Sequence, residues 1–198
     1  YINYLLRTKK GRIMVNIKHI ITSILSFFLF LFVFNLLFSF SASSEDVFLS
    51  KENFLKIAFE DDVPRRKGLR FKGDVKDIAQ NIMGSNYKKI RMKYWRQDGK
   101  TAWILERIGK VKLITAGFIV ENCRISSIHV LVYRETHGWE VKYPSFRDQF
   151  VGINMLAGFK LDKRIDGIAG ATLSVSSMEK MARLALAMNS LVPEINCK

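Results

Sequence analysis

Residues 88–133 change from a helical to a strand-like apolar pattern, and this stretch constrains the fold more than any other. Ile90, Met92 and Tyr94 alternate with Arg91, Lys93 and Trp95, and a period of two sends successive side chains to opposite faces of a strand. Gln97-Asp98-Gly99-Lys100 carries the Asp-Gly signature of a two-residue hairpin turn into residues 101–107. Gly109-Lys110 then turns the chain into 111–120, and Glu121-Asn122 into 125–133. Parallel neighbours would need crossovers of a dozen or more residues, so four runs joined by such turns predict an antiparallel meander.

Helical patterns flank the meander. Ser50 precedes a run in which Phe54, Ile57 and Ala58 recur at helical spacing, predicting a capped helix that ends near Glu60. Residues 61–73 contain Pro64, Gly68 and Gly73 and read as a loop or short extended piece. Asp74 reads as the cap of a second helix through Met83, with Val75, Ile78, Ala79 and Ile82 on one face and Gly84 as its stop. A last helix is predicted from about Leu173 to Leu191, ahead of Pro193. Val175, Met178, Met181, Ala182, Leu184, Ala185 and Met188 form its apolar stripe, with the methionines as gap-fillers of a core. The class is therefore α+β, an antiparallel meander packed with helices, with a helical N-terminal part at 45–84 and the main domain at 85–192.

Residues 20–40 carry no charge and are long enough to cross a hydrocarbon layer of about 30 Å. Arg7, Lys9, Lys10, Arg12 and Lys18 precede this run and no acidic residue appears before Glu45, so the positive-inside rule places residues 1–19 in the cytoplasm and the chain after about residue 44 outside. Met14 reads as a start, which would leave residues 1–13 as an over-extended reading frame. Small residues over 39–44 suit a signal peptidase. The run is thus read as a signal peptide or a transmembrane helix, with export to the cell membrane or periplasm in both cases. The five leader residues account for part of the formal net charge of +14 and leave +9 for the rest. Basic clusters at 64–72 and 88–93 would suggest nucleic acid in a cytosolic protein. Outside the membrane they fit a solvated face, anionic lipid or an acidic redox partner better.

Cys123 and Cys197 are the only cysteines, and a disulfide between them is open in an oxidising compartment. No spacing matches a haem, iron–sulfur or zinc site, the histidines do not cluster, and His129 reads as a strand residue with a structural role. Residues 135–160 lack a period and hold Trp139, Tyr143, Phe146 and Phe150, which suit either a ligand wall or a small satellite core.

The segment from Asp166 to Ser174, Asp-Gly-Ile-Ala-Gly-Ala-Thr-Leu-Ser, opens into the last helix. Gly167 and Gly170 allow positive φ and close approach of a ligand. Thr172 falls near the helix start, among unpaired N–H groups at the positive end of a helix dipole, which is an anion site. A plain N-cap role for Thr172 or Ser174 is the alternative.

Asp-Gly-x-x-Gly-Ala-Thr-x-Ser resembles the flavinylation signature of the FMN-binding domain family, which includes the C-type subunit of the sodium-pumping NADH:quinone reductase and the G-type subunit of the Rnf complex. Upstream, Glu135-Thr136-His137-Gly138 and Gln149-Phe150-Val151-Gly152 are similar to that family's Glu-Thr-Pro-Gly and Gln-Phe-x-Gly segments, in the same order. His137 departs from the family's usual Pro, and Ala169 from a usual Ser or Thr. The likeness spans about residues 85–190. It implies FMN joined by a phosphoester to Thr172 by a flavin transferase that uses FAD and magnesium. It also implies a cofactor site comprising Thr172, Ala171, Gly170 and Asp166, with Glu135, Thr136 and Gly138 along the ring or ribityl chain. The implied activity is electron relay to a membrane or periplasmic redox partner. A flavin-dependent reductase acting on an extracytoplasmic acceptor and a non-redox accessory protein of an envelope complex are the alternatives.

Overall fold

The period-two runs form the centre of a six-stranded antiparallel sheet in the computed structural model, which describes residues 21–32, 46–193 and 195–197. Strands β3 (Arg91–Gln97), β4 (Lys100–Ile108), β5 (Leu113–Glu121) and β6 (Arg124–Tyr133) follow one another as the meander. Asp98 and Gly99 take positive φ between β3 and β4, and Asn122 and Cys123 do so between β5 and β6. Two consecutive left-handed residues match the twist that a tight hairpin needs. Both edge strands come from the N-terminal part: β1 (Asp46–Val47) pairs with β6, and β2 (Lys67–Arg70), the short extended piece of the 61–73 segment, pairs with β3.

Helices α1 (Lys51–Phe59) and α2 (Asp74–Met83) occupy the spans predicted for them. Ser50 caps α1, its Oγ accepting from the Asn53 amide at 3.1 Å. Asp74 does not cap α2. Gly73 holds the N-cap position at φ 51° with no side-chain cap, and Asp74 is instead the first helical residue, where with Asp77 its charge complements the dipole. After β6 come a 3₁₀ turn (Trp139–Lys142), the short α3 (Pro144–Arg147), another 3₁₀ turn (Asp148–Phe150) and the small β7–β8 pair (Met155–Leu156 with Lys160–Leu161). The long α4 (Thr172–Ser190) closes the fold.

Helices cover one face of the sheet and part of the other. α4 and α2 pack on one, where Trp103, Leu105, Phe118 and Val130 meet Met178, Met181 and Leu184. α1 packs on the other, enclosing Phe54, Leu55, Ala58 and Phe59 with Trp95, Ala102, Ile119 and Leu131. Gly117 is required there, because a Cβ would overlap the Phe54 ring. The α4 stripe is buried as predicted. His129 sits in β6 with Arg147 Nη1 3.1 Å from its Nδ1 and Phe54 edge-on; burial and then the Arg147 charge hold its pKa below the ordinary value. Cys123 and Cys197 form a disulfide that ties the segment after α4 to the β5–β6 turn.

Residues 21–32 are helical and belong to a separate unit, residues 1–43. Residue 20, residues 33–40, the basic leader and the whole small-residue stretch at 39–44 lie outside the described residues, as does the expectation placed on them. No described helix is long and apolar enough to cross a membrane.

Candidate functional site

Three segments converge at the N-terminal end of α4: the tip of the β4–β5 hairpin, the loop that leaves β6, and the turn that enters the helix. Between them lies a cleft of about 530 Å³ lined by Lys110, Val111, Glu135, Thr136, His137 and residues 170–174. Glu135, Thr136, Gly170, Ala171 and Thr172, five of the residues singled out from sequence, are therefore brought together. Gly138 lies beneath this wall rather than in it. Asp166 is exposed and does not line the cleft. Its amide instead donates to Gln149 Oε1 at 2.7 Å, so the Gln-Phe-x-Gly segment holds the loop that leads to the site.

Glu135 organises the hairpin tip. Its Oε1 accepts from the backbone amides of Lys110, Val111 and Lys112 at 2.5, 2.7 and 2.8 Å. Burial by itself would raise the carboxyl pKa, but the three N–H donors and the Lys112 charge hold it below the ordinary value. Gly109 makes the geometry possible, since a Cβ there would come within 2.8 Å of the same oxygen. One carboxylate oxygen is thus committed to the loop.

Two further ties fix the helix against the sheet. The buried Tyr133 hydroxyl donates to the His137 carbonyl and lies 3.0 Å from Ser174 Oγ, joining the end of β6, the 135–138 loop and the first turn of α4. Burial raises its pKa, with the Ser174 bond a partial offset. Ser177 Oγ donates to the Ile108 carbonyl at 2.7 Å, anchoring the end of β4 to the second turn. Gly138, at φ 80°, admits this close approach: a Cβ would lie 2.8 Å from that of Ala171 and 2.9 Å from the Tyr133 hydroxyl.

The helix end itself is open. Ala171 occupies the N-cap position of α4, no side chain caps the helix and no acidic residue lies in its first turn. The leading N–H groups of a helix have no intrahelical partner, so a 19-residue helix presents its positive end here. Gly170 makes the turn at φ 76° with nothing within 4 Å of its Cβ direction, whereas Gly167 takes no positive φ. Thr172 is the first helical residue, exposed, with its hydroxyl not used as a cap.

Residues 109–187 match the family model for the FMN-binding domain. These residues form an FMN-binding domain. No curated protein matches the chain. The matched span runs from the hairpin tip through all but the last residues of α4, so it contains every wall of the cleft. FMN is the domain's cofactor, and the residues present fit it: an uncapped helix end suits the phosphate, and Val111 and Leu173, 71% and 52% exposed, offer apolar surface at the rim.

The aromatics of 135–160 do not form a wall of this cleft. Phe146 and Phe150 are buried in the main core and packed edge-to-face, while Trp139 and Tyr143 are half exposed around the Lys142 ammonium. Sequence reasoning missed the roles of Tyr133 and Ser177 and offered Ser174 only as a helix cap, whereas the three hydroxyls join elements far apart in the chain. It also missed Lys110 and Val111, although the Gly109-Lys110 turn signal marks where they sit. Among the described residues no three His, Cys, Asp or Glu side chains are grouped as metal ligands.

Proposed function

We propose that the domain carries FMN as a phosphoester of Thr172 and relays electrons outside the cytoplasm. The observation that carries this reading is the Thr172 hydroxyl, exposed at the first position of an uncapped helix and on the wall of a cleft of cofactor size. FMN supplies the redox chemistry when bound. The chain's own residues bind and orient. The open amides at the start of α4 and the helix dipole attract phosphate oxygens, Gly170 keeps the approach clear, and Val111 and Leu173 exclude water from the rim. Glu135 acts through the hairpin tip, by setting where Val111 and Lys110 stand.

Electron relay is favoured over turnover of a small substrate because the carboxylate in the cleft and the hydroxyl beside it, the partners that His137 on the cleft wall would need for proton transfer, are both committed elsewhere. The cleft's one carboxylate is held ionised by three backbone donors, and the Tyr133 hydroxyl is buried and occupied by His137 and Ser174. A flavin transferase would attach the cofactor, and a membrane or periplasmic redox partner would exchange electrons with it. The uncharged run at 20–40 supports export and tethering at the outer face of the cytoplasmic membrane.

The test is co-expression of the full chain with a flavin transferase, followed by denaturing electrophoresis and peptide mapping. Flavin fluorescence that survives denaturation and maps to the peptide holding Thr172 is expected. Fluorescence on another peptide would overturn the attachment site, and a denatured chain without flavin from a yellow native protein would overturn the covalent link.

A further inference from the structure

We propose that the β2–β3 end of the sheet is a docking surface for anionic phospholipid headgroups. The outer sheet face is divided in two. α1 covers it as far as Trp95, and beyond that the same face carries Gly68 and Arg70 of β2 opposite Lys93 and Arg91 of β3. With Lys67, Lys88 and Lys89 these side chains are exposed, and no acidic residue occurs within 63–73 or 84–97.

The register makes this more than a solvated edge. Arg70 lies directly opposite Arg91, and like charges in that relation destabilise an antiparallel pair. One or two lysines suffice to protect an edge strand from pairing with another sheet; an opposed arginine pair goes beyond that need at a cost in stability. Gly68 adds a second departure. A Cβ there would meet Arg91 Cδ at 2.8 Å, so the glycine leaves room for the Arg91 stem to lie flat across β2, at the expense of strand propensity. Both features concentrate cationic charge on one surface and imply a polyanion outside the protein.

Lipid fits better than an acidic protein. Ile90 is 84% exposed in the middle of Lys88-Lys89-Ile90-Arg91, and an apolar side chain set among cations is the pattern of a headgroup interface. The uncharged run at 20–40 of the same chain brings such a surface within reach. This surface is separate from the cleft and does not depend on flavin.

The full chain is mixed with vesicles of phosphatidylcholine alone or with added phosphatidylglycerol, and amide exchange is followed over 65–72 and 86–93. Apolar capture through residues 20–40 is common to both vesicles, so the difference between them reports the patch. Slowing of roughly fivefold or more is expected on the anionic vesicles only, reversed by salt. In Arg70→Glu an opposite-charge pair replaces the arginine pair, so the melting temperature rises while the protection falls. A merely structural patch would not move those two readouts in opposite directions. Equal exchange on both vesicle types, or full protection retained in Arg70→Glu, overturns the proposal. Protection by soluble polyglutamate but not by anionic vesicles also overturns it, in favour of an acidic protein.

Discussion

The N-termini of α1 and α4 solve the same problem in opposite ways. α1 closes its own end: Ser50 Oγ accepts from the Asn53 amide, and Glu52 places a negative charge in the first turn. α4, about twice as long, has Ala171 in place of a cap and no acid in its first turn, yet it is tied down by Tyr133–Ser174 and Ser177–Ile108. Packing, not capping, holds α4, so its leading amides remain open toward the cleft. A helix end left polar and open within a well-fixed frame is a place for an anion, and Thr172 stands at that place.

Thr172→Ala should have the largest effect, complete loss of covalent flavin, with little change in melting temperature because the hydroxyl caps nothing. Denaturing fluorescence together with thermal unfolding checks both halves. Glu135→Ala is next: three hairpin amides lose their acceptor, and a loss of about 1–3 kcal/mol in chemical denaturation is expected, with poorer flavin retention. The wild-type clamp also depends on pH. The folded carboxyl pKa is lowered, so its stabilisation is fully present above the ordinary value of 4.5 and is lost as pH falls through the folded value. The protection of amides 110–112, taken relative to the intrinsic exchange rate at each pH, should fall in that window, and Glu135→Gln should flatten the profile.

Ser50→Ala breaks the other member of the comparison. It should cost about 1 kcal/mol in stability and leave flavin loading unchanged. The smallest effect sharpens the contrast: Leu173→Glu copies the Glu52 arrangement into α4, placing an acid at the second helical position. A stability gain of about 0.3–1 kcal/mol is expected from the dipole, together with reduced flavin loading from repulsion of the phosphate. A gain in loading would contradict an anion at that end.

What could be read from the sequence was local. The meander follows from alternation and Asp-Gly, and the α4 stripe from its helical spacing, because both signals lie within a few residues. The Gly170 turn opening into α4 at Thr172 was legible for the same reason. Trp95 was not, since it shares its parity with Arg91 and Lys93 and only the arrival of α1 buries it. Nor was the role of Glu135, whose partners lie in the β4–β5 turn beside the neighbouring strand, distant in sequence rather than in space. Phe146 and Phe150 carried no period to show that they enter the core, and Asp166 entered the site only through the family resemblance, whereas in the fold its amide is turned toward Gln149 and it does not line the cleft.

The most direct test is the intact mass of the denatured full chain after co-expression with a flavin transferase, measured beside Thr172→Ala. The account predicts an increase equal to FMN minus water in the wild type and none in the variant. The same increase in Thr172→Ala would contradict it.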